Sequence, residues 1–108
     1  MTNGISRKTQ TERIAVNKAQ RFALLKVIEE CAELTTIVAK VGAFPSGFHP
    51  SREFDNKSIW PLVAEEIADV RAACVYFLQQ FPEVPIAGLE VRKQEKLALY
   101  EKYSNEPE

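Results

Sequence analysis

The fold of this chain is decided by the segment 28–34, whose sequence is Ile-Glu-Glu-Cys-Ala-Glu-Leu. Within it, Glu30 and Glu33 stand three residues apart in an otherwise apolar pattern. An α-helix turns by about 100° per residue, so positions i and i+3 lie on one face. A helix over this segment therefore presents the two carboxylates side by side.

A second segment, 63–70, repeats the arrangement with Val-Ala-Glu-Glu-Ile-Ala-Asp-Val, in which Glu66 and Asp69 are the paired acids. Neither Glu30 nor Glu66 is followed four residues later by Lys or Arg, a pairing that solvated helix faces often have. Four carboxylates that converge between packed helices repel one another and lose hydration. A hard divalent cation relieves that cost, and oxygen ligands suit Mg²⁺ or Mn²⁺.

Length and composition predict a single domain, 1–108, with an ordinary globular core. Of the 108 residues, 45% are apolar and 27% are charged. The net charge of -1 gives no bulk attraction to nucleic acid or to a membrane. No apolar run approaches the roughly 20 residues that span a bilayer, and the N-terminus lacks the apolar core of a signal peptide. We therefore expect a cytoplasmic protein.

Helical periodicity without strand alternation predicts an all-α fold, a bundle of four to five helices. Residues 1–8 and 104–108 are expected to be frayed. The Thr-x-x-Glu capping box at Thr9 predicts the start of a first helix, with a break possible within 17–21. The second helix is expected to end near Val41, before Gly42. The third is expected to cover about 59–80, with Ser58 as cap and Pro61 in the first turn. The last is expected to cover about 86–103.

The apolar pattern also predicts which faces are buried. On the helix that ends near Val41, one stripe is expected to face the core, with Lys26, Glu30 and Glu33 on the adjacent stripe; the core stripe contains Phe22, Leu25, Ile28, Ala32, Thr35 and Ala39. The helix over 59–80 is apolar over a wide arc, which is typical of a central helix or of one that contacts a partner subunit. Cys31 and Cys74 are expected to be reduced, buried thiols.

The segment 42–58 is predicted to be a long loop, since it contains two Gly and two Pro. It also carries Phe44, Phe48 and Phe54. These rings either anchor the loop to the core or form a lid whose aromatic rings stack on a substrate base. His49, the one histidine of the chain, is expected at the surface.

The paired motifs, Glu29-Glu30-x-x-Glu33 and Glu66-x-x-Asp69, resemble the signature of the MazG-like all-α nucleotide pyrophosphohydrolases. That superfamily includes the dimeric dUTPases and the phosphoribosyl-ATP pyrophosphohydrolases. The likeness covers roughly 20–105: the segments 22–34 and 64–77 are similar to the two metal helices, and 89–105 is similar to the Lys-rich closing helix. The gap between Glu33 and Glu66 is longer than is usual in the family, and the excess falls in the Phe-rich loop.

The resemblance implies hydrolysis of a nucleoside triphosphate to the monophosphate and pyrophosphate, with Mg²⁺ as cofactor. Carried over to the matching positions, the metal ligands are Glu30, Glu33, Glu66 and Asp69. The metal ions would bridge phosphate oxygens and activate a water that attacks the α-phosphorus. Glu29, about 100° round the helix, is either the general base, a residue that holds an outer metal water, or simply an exposed helix residue.

Basic and small residues are candidates for binding the nucleotide. Lys26 is close enough in sequence to neutralise an acid or a phosphate, and Lys93, Lys96 and Lys102 are candidates for the phosphate tail. Ala72 and Ala73 leave room for a base or sugar. The family's short members associate as dimers or dimers of dimers, so the resemblance implies a homodimer or homotetramer with its sites near the subunit interface.

Other classes of protein fit part of the same pattern. A di-iron or di-manganese bundle usually carries Glu-x-x-His motifs, whereas both second positions here are acids. A non-catalytic helical interaction or regulatory module could retain the acidic metal-binding face. Within the pyrophosphohydrolase class, the substrate could be a common or damaged dNTP, in a house-cleaning role, or phosphoribosyl-ATP.

Overall fold

The computed structural model describes residues 15–43 and 58–107, and the regular structure in these ranges is helical, without a strand. Helix α1 covers Lys18–Ala43, α2 covers Trp60–Gln80, a 3-10 turn covers Ile86–Gly88, and α3 covers Leu89–Ser104. The all-α class is confirmed, while the bundle of four to five helices and its assembly stay predictions. The expected helix from Thr9, residues 44–57 of the expected loop and His49 lie outside the described residues.

Helix α1 begins with a capping box that differs from the expected one. The backbone N–H of Gln20 donates to Asn17 Oδ1 at 2.8 Å, and the backbone N–H of Asn17 donates to Gln20 Oε1 at 3.0 Å. These two bonds satisfy N–H groups that the first turn of a helix leaves without partners. They place the start of α1 inside the segment 17–21, where the sequence allowed a break without fixing it.

Helices α1 and α2 form an antiparallel hairpin. Gln20, in the first turn of α1, donates from Nε2 to the backbone carbonyl of Gln80, the last residue of α2, at 2.9 Å. At the other end of α2, Pro61 occupies the first turn, as expected. The N-cap is Ile59 rather than the expected Ser58, whose Oγ instead accepts a bond of 3.2 Å from the N–H of Trp60. The core is small; its buried apolar residues in the described ranges are Ala23, Ile37, Ile59, Ala73 and Phe81.

The face of α1 that packs on α2 is the stripe beside the predicted one. The expected core residues Phe22, Leu25 and Ile28 are 51%, 57% and 66% exposed, so that prediction is wrong. Ala23 and Ile37 are buried instead, and Glu30 lies on the same stripe, half-buried. Apolar side chains on both stripes make the direction of the buried face ambiguous from periodicity alone.

The two thiols were also expected to be buried, and that expectation is wrong. Cys31 and Cys74 are free and exposed. Their exposure follows from the direction of the hairpin contact, because each helix covers only one side of the other. The wide apolar arc of α2 continues beyond that contact to the side of the helix that α1 leaves uncovered. Val75 and Ile67 are exposed on α2 for the same reason.

Helix α3 packs against neither of the other helices. No Cα atom of α3 lies within 8 Å of a Cα atom of α1 or α2. Its first residue, Leu89, borders a small apolar cleft with Val27 and Phe77, and the helix then leaves an apolar stripe exposed that contains Leu97, Tyr100 and Tyr103.

None of the helices in the described ranges combines the length and apolarity that crossing a membrane would require.

Candidate metal centre

The centre of the hairpin carries acids where two apolar surfaces meet. Glu30 lies on the packed stripe of α1, and Glu66 lies on the stripe of α2 that continues through Val70, Ala73 and Phe77 at steps of four and three residues. Helix periodicity therefore aims both carboxylates at the neighbouring helix. A solvated acidic face would have turned them away from it.

Three of the four predicted ligands converge. A carboxylate oxygen of each of Glu30, Glu66 and Asp69 lies within 4.8 Å of the other two. Around Mg²⁺, with bonds of about 2.1 Å, ligand oxygens are about 3.0 Å apart when adjacent and about 4.2 Å apart when opposite. Side-chain adjustments of about 1 to 2 Å would bring the three oxygens to those separations. The residues present fit a hard divalent cation in number and in chemistry.

Glu33 completes the predicted set at the edge of this triad. It lies one turn beyond Glu30 on α1, and its negative charge raises the pKa of both Glu30 and Glu66. Glu33 also lines a cleft on one side of the hairpin together with Glu66. All four predicted acids are therefore close in space, with Glu33 as the outermost.

Two oxygens in this cluster lack the partners that buried polar atoms normally have. The Oε1 atoms of Glu30 and Glu66 are shielded from solvent and accept no hydrogen bond from the described residues. Buried carboxylate oxygens without a partner are costly and are expected to be satisfied by a donor or a cation. Nor does any ion pair in the described ranges include one of the four acids.

The protonation behaviour of the cluster agrees with that geometry. Burial raises the pKa of Glu30 above its ordinary value of 4.5, and the charges of Glu33, Asp69 and Glu66 raise it further. Burial and the charges of Glu33 and Asp69 raise the pKa of Glu66 in the same direction. Like charges that raise one another's pKa values in a cleft are typical of functional sites and of metal sites without their ion.

The predicted general base, Glu29, has a partner. Lys26 Nζ donates to Glu29 Oε1 at 2.7 Å, and this bond raises the pKa of Lys26. Lys26 also feels the negative charges of Glu30 and Glu33, which places its ammonium group beside the cluster. Glu29 itself is exposed, next to the cluster rather than in it.

The other predicted substrate lysines lie on α3, away from the cluster within one chain. Lys93 pairs with Glu90 at 3.0 Å. Lys96 lies 5.2 Å from the ring centre of Tyr100, and Lys102 lies 6.0 Å from that of Tyr103. These contacts are all local, so the structure does not bring the three lysines to the four acids of the same chain.

Sequence reasoning missed two aromatic residues beside the cluster, Phe22 and Tyr76. Their rings meet edge to face with centroids 6.1 Å apart. Phe22, Lys26 and Glu30 follow one another at steps of four residues, a spacing that places them on one helix face. That signal was present in the sequence, but Phe22 was assigned to the core.

No protein-family model, curated protein or solved structure matches the chain. The likeness to MazG-like pyrophosphohydrolases therefore stays a prediction from the two acidic motifs.

Proposed function

We propose that the protein is a Mg²⁺-dependent nucleotide pyrophosphohydrolase, which cleaves a nucleoside triphosphate to the monophosphate and pyrophosphate. The observation that carries the proposal is the pair of shielded Oε1 atoms on Glu30 and Glu66, which have no partner among the described residues and lie beside Asp69. An apolar helix–helix contact gains nothing from two such carboxylates unless a cation binds them. Mn²⁺, which takes similar oxygen ligands, is expected to substitute.

The four acids would hold the metal, with Glu30, Glu66 and Asp69 as the inner set and Glu33 at its edge. When bound, Mg²⁺ supplies positive charge against the phosphate oxygens and makes a water more acidic. The protein supplies the position of that charge, since α1 and α2 fix the carboxylates at the centre of a two-helix contact.

Glu29 is proposed as the group that takes the proton from the attacking water. It is exposed beside the cluster, and the Lys26 ammonium group holds its carboxylate through a bond of 2.7 Å. A general base must be ionised before the reaction and must lie within reach of the proton.

We infer further that the protein works as a homodimer or homotetramer. Only five apolar residues are buried in the described ranges, and α3, which packs on neither α1 nor α2, leaves Leu97, Tyr100 and Tyr103 exposed. An isolated helix of 16 residues is marginal in water, so its stability has to come from packing. A second copy that covers α3 would also bring lysines to a site shared between subunits.

The experiment that tests the proposed activity is a screen of the purified protein against common and modified NTPs and dNTPs, with Mg²⁺ and with EDTA. Pyrophosphate and orthophosphate are both measured, and Glu66→Ala is run beside the wild type. We expect Mg²⁺-dependent pyrophosphate release that is lost in EDTA and in Glu66→Ala. Orthophosphate as the first product, or release that persists in EDTA, would contradict the proposal.

The second candidate is a non-catalytic helical interaction or regulatory module that retains the acidic metal-binding face. The exposed apolar stripe of α3 favours it, because such stripes bind partner helices. A correctly folded protein that releases no pyrophosphate from any nucleotide, yet binds Mg²⁺, would favour this candidate over the enzyme.

A further inference from the structure

The acid cluster opens at one side into a cleft of about 310 Å³ between α1 and α2. Its floor at one end is acidic, from Glu30 and Asp69, and its other end is aromatic, from Phe22 and Tyr76. A cleft of this size is at the lower end of the range for small-molecule sites. Its two ends differ in chemistry, so a ligand that fits it must also have two different ends.

The aromatic end offers ring faces and a positive charge. The rings of Phe22 and Tyr76 are inclined at 84° to one another, so only one of them uses its face in the contact between them. Phe22 is 51% exposed, and the Lys26 ammonium group lies 5.3 Å from the centre of its ring. Tyr76 is half-buried, so the pair is exposed mainly through Phe22, whose ring is open to a flat, polarisable group.

Distances along the helices relate the two ends. Phe22 precedes Glu30 by eight residues, which is about 12 Å of helix at 1.5 Å per residue. Tyr76 follows Asp69 by seven residues, or about 10 Å. Because the helices are antiparallel, both aromatic residues lie in the same direction from the acids, and Lys26 lies halfway between Phe22 and Glu30.

We propose that this cleft is the nucleoside subsite: the base packs on Phe22 and Tyr76 while the phosphates lie at the metal held by the four acids. The inference rests on the proposed function and names where the substrate's base binds. Base stacking on aromatic side chains tolerates any base, since every base has a π face. Ala72, on the wall between the two ends, leaves space for the sugar.

Lys26 has a defined place in this arrangement. Its ammonium group lies between the aromatic pair and the acids, beside the path that the anionic part of a nucleotide would take. Its present partner, Glu29, is 52% exposed on its side chain, and an exposed ion pair of this kind is weak. Lys26 can therefore leave the Glu29 carboxylate and bind a phosphate oxygen with little loss of interaction free energy.

The cleft on the opposite side of the cluster lacks these features. It is lined by Ala32, Glu33, Thr36, Ile37, Leu62 and Glu66. Among the residues the structure describes, it has neither an aromatic ring nor a basic group. The described residues there offer no ring on which a base would stack and no cation for a phosphate.

Calorimetric titration with two ligands tests the subsite in the presence of Mg²⁺. One ligand is a nucleoside triphosphate with a methylene group between the α- and β-phosphorus, which resists cleavage, and the other is inorganic tripolyphosphate, which has no base. For Phe22→Leu and for Tyr76→Leu we expect the nucleotide Kd to rise by about tenfold to a hundredfold, as loss of one stacked ring predicts. The tripolyphosphate Kd should not change, and Tyr76→Phe should bind the nucleotide as the wild type does.

Trp60→Leu is the matched control, because Trp60 is about as exposed as Phe22 but lies at the opposite end of α2 from Tyr76. The subsite is wrong if both Leu variants keep the wild-type nucleotide affinity, if they lose tripolyphosphate affinity to the same extent, or if Trp60→Leu is the variant that loses the nucleotide. If the wild type hydrolyses nucleotides but one of these three outcomes is observed, the subsite is wrong and the proposed function stands. If the wild type binds neither ligand, the proposed function is wrong as well.

An NMR measurement on the wild type tests the subsite without relying on any variant, which could fail to fold. Addition of the nucleotide should shift the NMR signals of the Phe22 and Tyr76 ring protons, because a stacked base adds its own ring current. Tripolyphosphate should leave those signals in place. Ring signals that respond to neither ligand, while the nucleotide is bound, would overturn the subsite.

Discussion

At the scale of single residues, the protein places two shielded carboxylate oxygens, on Glu30 and Glu66, in a contact between helices. Such groups lower stability unless something compensates them. Burial and mutual repulsion raise the pKa values of both, which means that the folded protein holds their protons more strongly than the unfolded chain does. The cluster therefore opposes folding at neutral pH without metal and is relieved by either protons or a cation.

The first prediction concerns Glu66→Gln in metal-free buffer. Because the pKa of Glu66 is raised in the folded state, the free energy of unfolding falls as the pH rises from the ordinary value of 4.5 through the raised one. Well below pH 4.5 the carboxyl group is protonated in both states and this cost is absent. We therefore expect Glu66→Gln to melt higher than the wild type at pH 7, with the difference vanishing at acid pH. Thermal melts from pH 4 to 8 in EDTA measure it.

The control for this experiment is Glu65→Gln, which removes the same charge from the neighbouring, exposed position of α2. Its melting temperature should rise much less than that of Glu66→Gln at pH 7, because the charge of Glu65 is the smallest of the causes that raise the pKa of Glu66. With Mg²⁺ added, the wild type and Glu65→Gln should gain stability by ligand binding, and Glu66→Gln should gain much less. A Glu66→Gln protein that melts lower than the wild type in EDTA would contradict the description of the cluster.

The second prediction separates the proposed base from the metal ligands. Glu29→Gln should lower kcat by about 10²- to 10⁴-fold, the usual contribution of general base catalysis. The variant should keep the Mg²⁺-induced rise in melting temperature, because Glu29 lies outside the triad. Steady-state kinetics and melts on one preparation check both statements, and a loss of the Mg²⁺ effect in Glu29→Gln would move this residue into the metal site.

At the scale of elements, the two-helix contact decides which groups meet. The stripe of α1 through Ala23, Glu30 and Ile37 faces α2, and small residues on both helices, Ala23 and Ala73, are buried where they meet. The acids thus lie on the packed faces, and the aromatic pair lies two helical turns further along. The hairpin, rather than any loop among the described residues, carries the candidate site.

The third prediction concerns the cap that starts α1. Asn17→Ala removes the acceptor of the Gln20 N–H, a bond of 2.8 Å, and should cost about 0.5–2 kcal/mol of unfolding free energy. Asn105→Ala is the control, since Asn105 caps the C-terminal end of α3 through its backbone N–H and not through its side chain. Urea unfolding measures both, and equal stability of the Asn17→Ala variant and the wild type would show that the capping box contributes nothing.

The limits of α2 were predictable because they depend on local chemistry. The helix expected over 59–80 is observed as Trp60–Gln80, and three of the four paired acids, Glu30, Glu66 and Asp69, lie together. The buried face of α1 was not predictable, because apolar residues on two adjacent stripes satisfy the same period. The Asn17–Gln20 capping box has the same signature as the one at Thr9, but the preceding chain offered no Gly or Pro to mark it.

At the scale of the whole molecule, α3 is the helix that packs on neither of the other two helices that the structure describes. Its Leu97, Tyr100 and Tyr103 form one stripe at steps of three residues, and all three are exposed. Charged residues on its other faces keep it compatible with water, among them Glu95, Lys96 and Glu101. The stripe is the surface that an associated copy of the chain would cover.

The fourth prediction is that Leu97→Glu dissociates the assembly. A charge within the stripe leaves a buried carboxylate without a partner in the interface, so sedimentation equilibrium should report a lower mass than for the wild type. Ala98→Glu, which adds the same charge one residue further on and off the stripe, should sediment as the wild type does. A wild type that is monomeric at all concentrations would contradict the homodimer and the homotetramer alike.

The central claim is that the acids between α1 and α2 form a metal site for pyrophosphate release. Its most direct test is the rate of pyrophosphate release from the best nucleotide as Mg²⁺ is titrated, for the wild type, Glu66→Gln and Glu65→Gln side by side. We predict saturable Mg²⁺ dependence in the wild type and in Glu65→Gln, and at least a hundredfold loss in Glu66→Gln, about what removing one group that stabilises a transition state costs. Equal rates in the two Gln variants, or release without Mg²⁺, would contradict it.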